Sequence, residues 1–103
     1  MKQIFIDKFI IPKQAKKEFT ERMSINRAFI KNLPGFIQDS AYERIDPSGH
    51  INCITIAIWA SEQALNQAKA AVQAEYQRTG FDPAEFLTRL NITMEREVYQ
   101  PAG

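Results

Sequence analysis

The chain has 103 residues and a mass of 11.8 kDa, the size of one domain, 1–103. Its 45% hydrophobic and 24% charged content excludes a disordered tail and a collagen-like chain, and its single cysteine, Cys53, excludes a disulfide scaffold and points to a reducing, cytoplasmic setting. The net charge of +1 argues against a nucleic-acid partner, and the lack of a long apolar run or a signal-peptide core argues against a membrane one.

Residues 3–11, Gln-Ile-Phe-Ile-Asp-Lys-Phe-Ile-Ile, are β-rich and almost continuously apolar, as in a strand covered on both faces. Pro12 stops this strand. From Lys13 to Leu33 the period becomes helical. Ala15, Phe19, Met23, Phe29, Ile30 and Leu33 fall on one stripe, and Lys13, Lys17, Ser24, Arg27 and Lys31 on the opposite one. Pro34-Gly35 is expected to end the helix. Residues 36–45 read as a second strand with weaker alternation. Asp46-Pro47-Ser48-Gly49 has the composition of a turn. Residues 51–59 form the clearest strand, so the second and third strands make a hairpin.

Ser61 suits a helix N-cap, Glu62 suits the positive end of the helix dipole, and Gly80 suits the C-cap. The inward stripe of that helix, Ala64, Leu65, Ala68, Ala71 and Val72, is small. Asp82, Pro83 and Glu85 are placed to start a short helix reaching about Leu90, with Phe81 and Phe86 at the staple positions. Residues 92–99 alternate as a last strand. The order β-α-β-β-α-(α)-β is an α+β, ferredoxin-like pattern: a four-stranded antiparallel sheet with helices on one face.

Helices on one face leave the other uncovered. Ile4, Ile6, Ile54, Ile56 and Ile58 share one face of the strands. Phe5, Asp7, Phe9, Cys53, Thr55, Ala57 and Trp59 share the other. The isoleucine face is expected to meet its copy in a homodimer. The Cys53, Thr55, Ala57 face is thin and opposes the small helix stripe that includes Ala68. A space walled by Phe5, Phe9 and Trp59 is expected there, an apolar, concave ligand pocket with few polar groups. The competing reading is that Phe19, Met23, Phe29 and Ile30 fill it.

The element order, the Asn32-Leu-Pro-Gly-Phe36 junction and the strand end Ile58-Trp-Ala-Ser-Glu62 resemble the antibiotic-biosynthesis monooxygenase family. The resemblance covers nearly the whole chain. It implies a dimeric ferredoxin-like α/β barrel with a pocket between sheet and helices. Family members include cofactor-free oxygenases of aromatic polyketides and haem-degrading enzymes. The haem-degrading branch uses an Asn on the first strand, a Trp ending the third and a His one helix onward. Trp59 matches the Trp and Asp7 stands at the Asn position. The His position falls near Ala68 and Lys69, so haem degradation is not expected.

Asp7 is the sharpest anomaly, an aspartate between Phe5 and Phe9 on one face of a strand. Buried, it would serve as a base; paired with a cation, it would be structural. Asn26 and Arg22 lie toward the sheet on the first helix. Asn26 could contact ligand or oxygen, and Arg22 could neutralise Asp7 or hold an anion. Trp59 could position an aromatic substrate or close the core. Tyr42, Tyr76 and Tyr99 could line the pocket mouth. His50, in the hairpin turn, has no second metal ligand near it in sequence, so no metal or other cofactor is expected. The reading is a cofactor-independent, monooxygenase-like enzyme on a small aromatic or quinol compound, with Asp7, Asn26 and Trp59 as catalytic candidates. A non-catalytic ligand-binding dimer is the alternative.

Overall fold

A computed structural model describes residues 1–103. Strand β1 spans Gln3–Ile11, α1 Lys16–Ile30, β2 Phe36–Ile45, β3 Ile51–Trp59, α2 Glu62–Thr79, α3 Pro83–Arg89 and β4 Thr93–Tyr99. The sheet is antiparallel in the order β2-β3-β1-β4. This is the ferredoxin-like architecture read from the sequence.

Local chemistry sets the boundaries. Ser61 Oγ accepts from the Ala64 N–H at 3.0 Å, and Gly80 closes α2 in the left-handed conformation at φ 72°. Asp82 Oδ1 accepts from the Glu85 N–H at 3.2 Å, with Pro83 at the first turn of α3. The Phe81 and Phe86 rings meet at 5.4 Å as a staple around that start. Three expected boundaries shift. Residues Lys13–Ala15 form a 3-10 turn rather than the first turn of α1. At the other end α1 stops at Ile30, because Pro34 disfavours helical backbone at Leu33 and the chain tightens through Leu33 N–H to Ile30 C=O at 3.1 Å. The last strand starts at Thr93, since the Ile92 N–H donates to Leu87 C=O at 2.9 Å and so closes α3.

The helices cover the face that carries Phe5, Asp7, Phe9, Cys53, Ala57 and Trp59. The isoleucine face stays open: Ile54 and Ile10 are exposed there, flanked by Tyr42 and Tyr99. On the covered face the core divides in two. One cluster joins Phe9, Ile11, Phe19, Ile51, Cys53, Phe86 and Ile92; the other joins Ala57, Trp59, Leu65 and Ala68. Between them lies the cross-strand rung Ala41–Thr55–Asp7–Arg96. It is polar and short at its centre, so the two clusters do not meet across it.

Gly35 sets how closely α2 approaches the sheet. Its φ is +82°, and a Cβ placed there would lie 2.4 Å from the Ala64 Cβ. Only glycine allows both the positive φ and that contact. The contact brings the start of α2 against the Phe36–Trp59 end of the hairpin.

Candidate functional site

The gap between the clusters is a cavity of about 850 Å³, and 14 of its 25 lining residues are hydrophobic. It is therefore a largely apolar space of ligand size. Helix α1 presents Met23, Asn26, Arg27 and Ile30 to it, at i, i+3, i+4 and i+7. Helix α2 presents Leu65, Ala68, Val72 and Tyr76. The sheet supplies Phe5, Asp7, Thr55, Ala57 and Trp59 as the floor, and Phe81 and Leu87 close one end. Met23 and Ile30 line this space without filling it, Phe19 is buried in the first core cluster, and Phe29 is part of neither.

Of the residues expected at the site, Asp7, Asn26, Trp59, Phe5, Thr55, Ala57 and Ala68 line the cavity together. Phe9 does not: its ring packs edge-on to Phe19 at 4.9 Å inside the first core cluster. Cys53 belongs to that cluster too, and burial pushes its thiol pKa up, with the Glu43 charge adding to the shift. It is a neutral core side chain. Tyr42 is 64% exposed on the open face of the sheet, because it alternates with the cavity-facing positions of β2. Arg22 stands behind the lining residues, its guanidinium stacked over the Phe81 ring at 3.5 Å. Its Nε is buried and donates to no acceptor.

Asp7 is neutralised by a residue the sequence reading did not single out. Arg96 sits directly across from it on β4. The guanidinium donates through Nε to Asp7 Oδ1 at 2.8 Å and through a terminal NH₂ to Oδ2 at 3.0 Å. Hydrogen bonding and attraction to Asp7 hold the Arg96 pKa above its ordinary value against the opposing effect of burial. The Asp7 side chain is 13% exposed and that of Arg96 51%, so the carboxylate is sheltered while the arginine stays half in water. The same guanidinium lies 4.8 Å from the centre of the Phe5 ring.

A second pair faces the cavity. Arg27 Nε donates to Asp39 Oδ2 at 2.5 Å, and Asp39 is 9% exposed. The Arg27 pKa is raised first by that hydrogen bond. The sequence groups Arg27 with the solvent-facing lysines, but it stands one turn after Met23 on the border of that stripe, and the structure brings it to this carboxylate. Asp39 reaches the cavity because β2 slips register between Phe36 and Gln38. Unbroken alternation from Phe36 would have sent Asp39 to the opposite face.

Tyr76 lies in the field of the first pair. Burial raises its pKa most, Asp7 raises it further, and Arg22 and Arg96 oppose the shift. Its hydroxyl thus stays protonated near neutrality and can donate. Trp59 is 2% exposed, meets Phe36 edge-on at 5.5 Å, and its indole N–H has no acceptor. No histidine lines the cavity. His50 lies in the β2–β3 turn with Nδ1 2.7 Å from Ser48 Oγ, so the residues present do not offer haem an imidazole. No group of three His, Cys, Asp or Glu side chains could hold a metal ion. No helix is long and apolar enough to cross a membrane.

No family model matches the chain, and no curated protein matches it in sequence. Solved structures do. SnoaB, a cofactor-independent oxygenase from Streptomyces nogalater, aligns with a TM-score of 0.69 at 21% identity, over 99% of this chain and 94% of its own. A candidate monooxygenase from Shewanella loihica aligns with a TM-score of 0.73 at 22% identity, over 99% and 95%. A candidate antibiotic biosynthesis monooxygenase from Deinococcus radiodurans gives 0.68 at 13% identity, over 98% and 93%. At these identities the likeness establishes the fold: the chain has the architecture of the antibiotic-biosynthesis monooxygenases along nearly its whole length.

Proposed function

We propose that the protein is a cofactor-independent, monooxygenase-like enzyme acting on a small aromatic or quinol compound, and that it works as a homodimer joined through its isoleucine face. The observation that carries the reading is the apolar cavity lined by the sheltered Asp7 carboxylate, paired with Arg96, together with Tyr76 and Trp59. The fold shared with a cofactor-independent oxygenase supports it.

An anthrone-type methylene shows what such a site can do. Asp7 takes one proton from the carbon as one of its bonds to Arg96 opens. The freed guanidinium then faces the enolate oxygen and stabilises its charge. The electron-rich carbanion passes an electron to O₂, and the two radicals join as a carbon-bound peroxide. Asp7 returns its proton to the distal oxygen. It then removes the second carbon proton as the O–O bond breaks, and that proton leaves with the hydroxide as water. A CH₂ group and O₂ have become C=O and H₂O. Asn26 and Tyr76 orient the substrate oxygens, while the apolar walls keep bulk water from the carbanion.

One observation favours a binding role instead: both oxygens of Asp7 accept from Arg96, so no carboxylate in this pair is free at rest. Oxygen uptake with a panel of anthrones and hydroquinones separates the two readings. The enzyme reading expects uptake above the spontaneous rate, lowered about 10²–10⁴-fold in Asp7→Asn. Equal rates for wild type and Asp7→Asn remove Asp7 from the chemistry. Saturable thermal stabilisation by the same compounds without any uptake establishes the binding reading.

A further inference from the structure

The polar groups of the cavity do not balance pairwise. Its lining cations are Arg27, Lys69 and Arg96, and its lining anions Asp7, Asp39 and Asp82. Arg27 is held by Asp39, and Arg96 by Asp7. Asp82 caps α3 at the exposed end of the cavity. Lys69 makes no ion pair and no hydrogen bond. Its ammonium lies 5.5 Å from the centre of the Phe5 ring, the same ring that carries the Arg96 guanidinium at 4.8 Å. Phe5 thus sits under two cations, and one of them has no counter-charge.

The rest of α2 extends that feature. Lys69, Gln73 and Tyr76 line the cavity at i, i+4 and i+7, one polar stripe beside the apolar stripe of Leu65, Ala68 and Val72. Arg22, behind Tyr76 and Phe81, also lacks a carboxylate partner. An apolar slot edged by an unneutralised ammonium suits a flat ring whose anionic group reaches that edge, since a charge-assisted hydrogen bond is stronger than a neutral one.

We propose that the cavity selects aromatic acids: the aryl ring lies between Phe5 and the apolar stripe of α2, and its carboxylate is held by Lys69 with Gln73 and Tyr76 as further donors. The inference names the ligand class of the cavity taken above as the enzyme's site, and it rests on that reading only for its link to oxygen chemistry.

Binding under nitrogen tests it apart from turnover. Isothermal titration compares 2-naphthoate with 2-naphthamide, a matched pair differing in charge. The wild type is expected to bind the acid about tenfold more tightly or better. Lys69→Met should bring the ratio near one with the amide's affinity unchanged, and Lys69→Arg should restore most of it. Lys69 is exposed on a helix, so these variants keep the fold, which circular dichroism checks. Failure of naphthoate to bind at millimolar concentration overturns the proposal. So does a wild-type ratio of one, or a ratio that survives Lys69→Met. If the ratio behaves as expected while no substrate consumes oxygen, the aromatic-acid site stands and the oxygenase reading falls.

Discussion

Asp39 and Arg27 are unequal partners, and the inequality sets what their loss should do. Asp39 is almost enclosed, whereas Arg27 keeps 36% of its side chain in water. Removing the arginine strands a carboxylate where water reaches it poorly; removing the aspartate leaves an arginine that can rehydrate. Arg27→Ala is therefore expected to cost about 1–3 kcal/mol, with screening of the half-open arginine keeping it below the range of fully buried pairs. Asp39→Ala should cost less, and the double variant should be more stable than Arg27→Ala alone. Urea denaturation of the three proteins checks the order, and an Asp39→Ala loss equal to that of Arg27→Ala contradicts it. Single residues were also where the sequence was least legible. Asp7 stood out because an aspartate between two phenylalanines on one strand face is unusual, yet its partner Arg96 lies 89 positions away and only the β1–β4 register joins them. Arg27 carried an ambiguous signal, since it lies four residues after Met23 and four before Lys31, on the border between the apolar stripe and the lysines. A long side chain at such a border can turn toward a buried carboxylate.

Elements were far more legible than contacts, because their ends are written in local chemistry. Pro12, Ser61, Gly80 and the Asp82-Pro83 pair each act within a few residues, and the structure uses each as a terminus or cap. The slip in β2 has no such mark: nothing in Phe36-Ile37-Gln38 announces a bulge, so Asp39 could not be placed on its face. The β2–β3 turn shows a local device with a measurable consequence. Asp46 Oδ1 accepts from the Ser48 hydroxyl at 2.6 Å and from the backbone N–H groups of Ser48 and His50 at 2.9 and 3.0 Å. Oδ2 accepts from Asn52 Nδ2 at 2.9 Å. These donors, the Ser48 hydroxyl foremost and Asn52 next, hold the carboxyl well below the usual carboxylate range. A carboxyl with a depressed folded-state pKa binds protons more readily once unfolded. Its stabilising contribution is thus complete above its unfolded pKa of about 4 and is lost as the pH falls toward the folded value. Melting curves from pH 5 to pH 2 should show wild type losing more of its melting temperature than Asp46→Asn. Parallel losses would remove Asp46 from the acid response.

The molecule as a whole is too flat for its mass. It measures 38 × 38 × 18 Å, and its radius of gyration is 14.1 Å against about 12.8 Å for a compact chain of this length. Its accessible surface is 6774 Å² against roughly 5,900 Å² for a typical monomer of this mass. The excess has a location, since the helices cover one side of the sheet and leave the other without a layer, with Ile10 and Ile54 exposed and Ile4, Ile6, Ile56 and Ile58 half-buried. On that open face the rungs run Gln38–Ile58–Ile4–Tyr99, Ser40–Ile56–Ile6–Glu97 and Tyr42–Ile54–Lys8–Glu95. They form an apolar centre with a polar border, and the Lys8–Glu97 pair lies within it at 3.6 Å. In the proposed dimer this face meets its own copy across a two-fold axis, and burying about 800 Å² of it per subunit would give a standard stable interface. Light scattering at micromolar concentration should therefore report twice the 11.8 kDa mass of the chain, with a melting temperature that rises with protein concentration. Ile56→Asp places a charge at the centre of the face and should yield a monomer. Ile54→Asp is the safer probe, because Ile54 is already 36% exposed in the isolated chain and its replacement costs the subunit's own packing little. A wild-type monomer at micromolar concentration, or a dimer that survives Ile54→Asp and Ile56→Asp alike, would show that the isoleucine face does not join two copies.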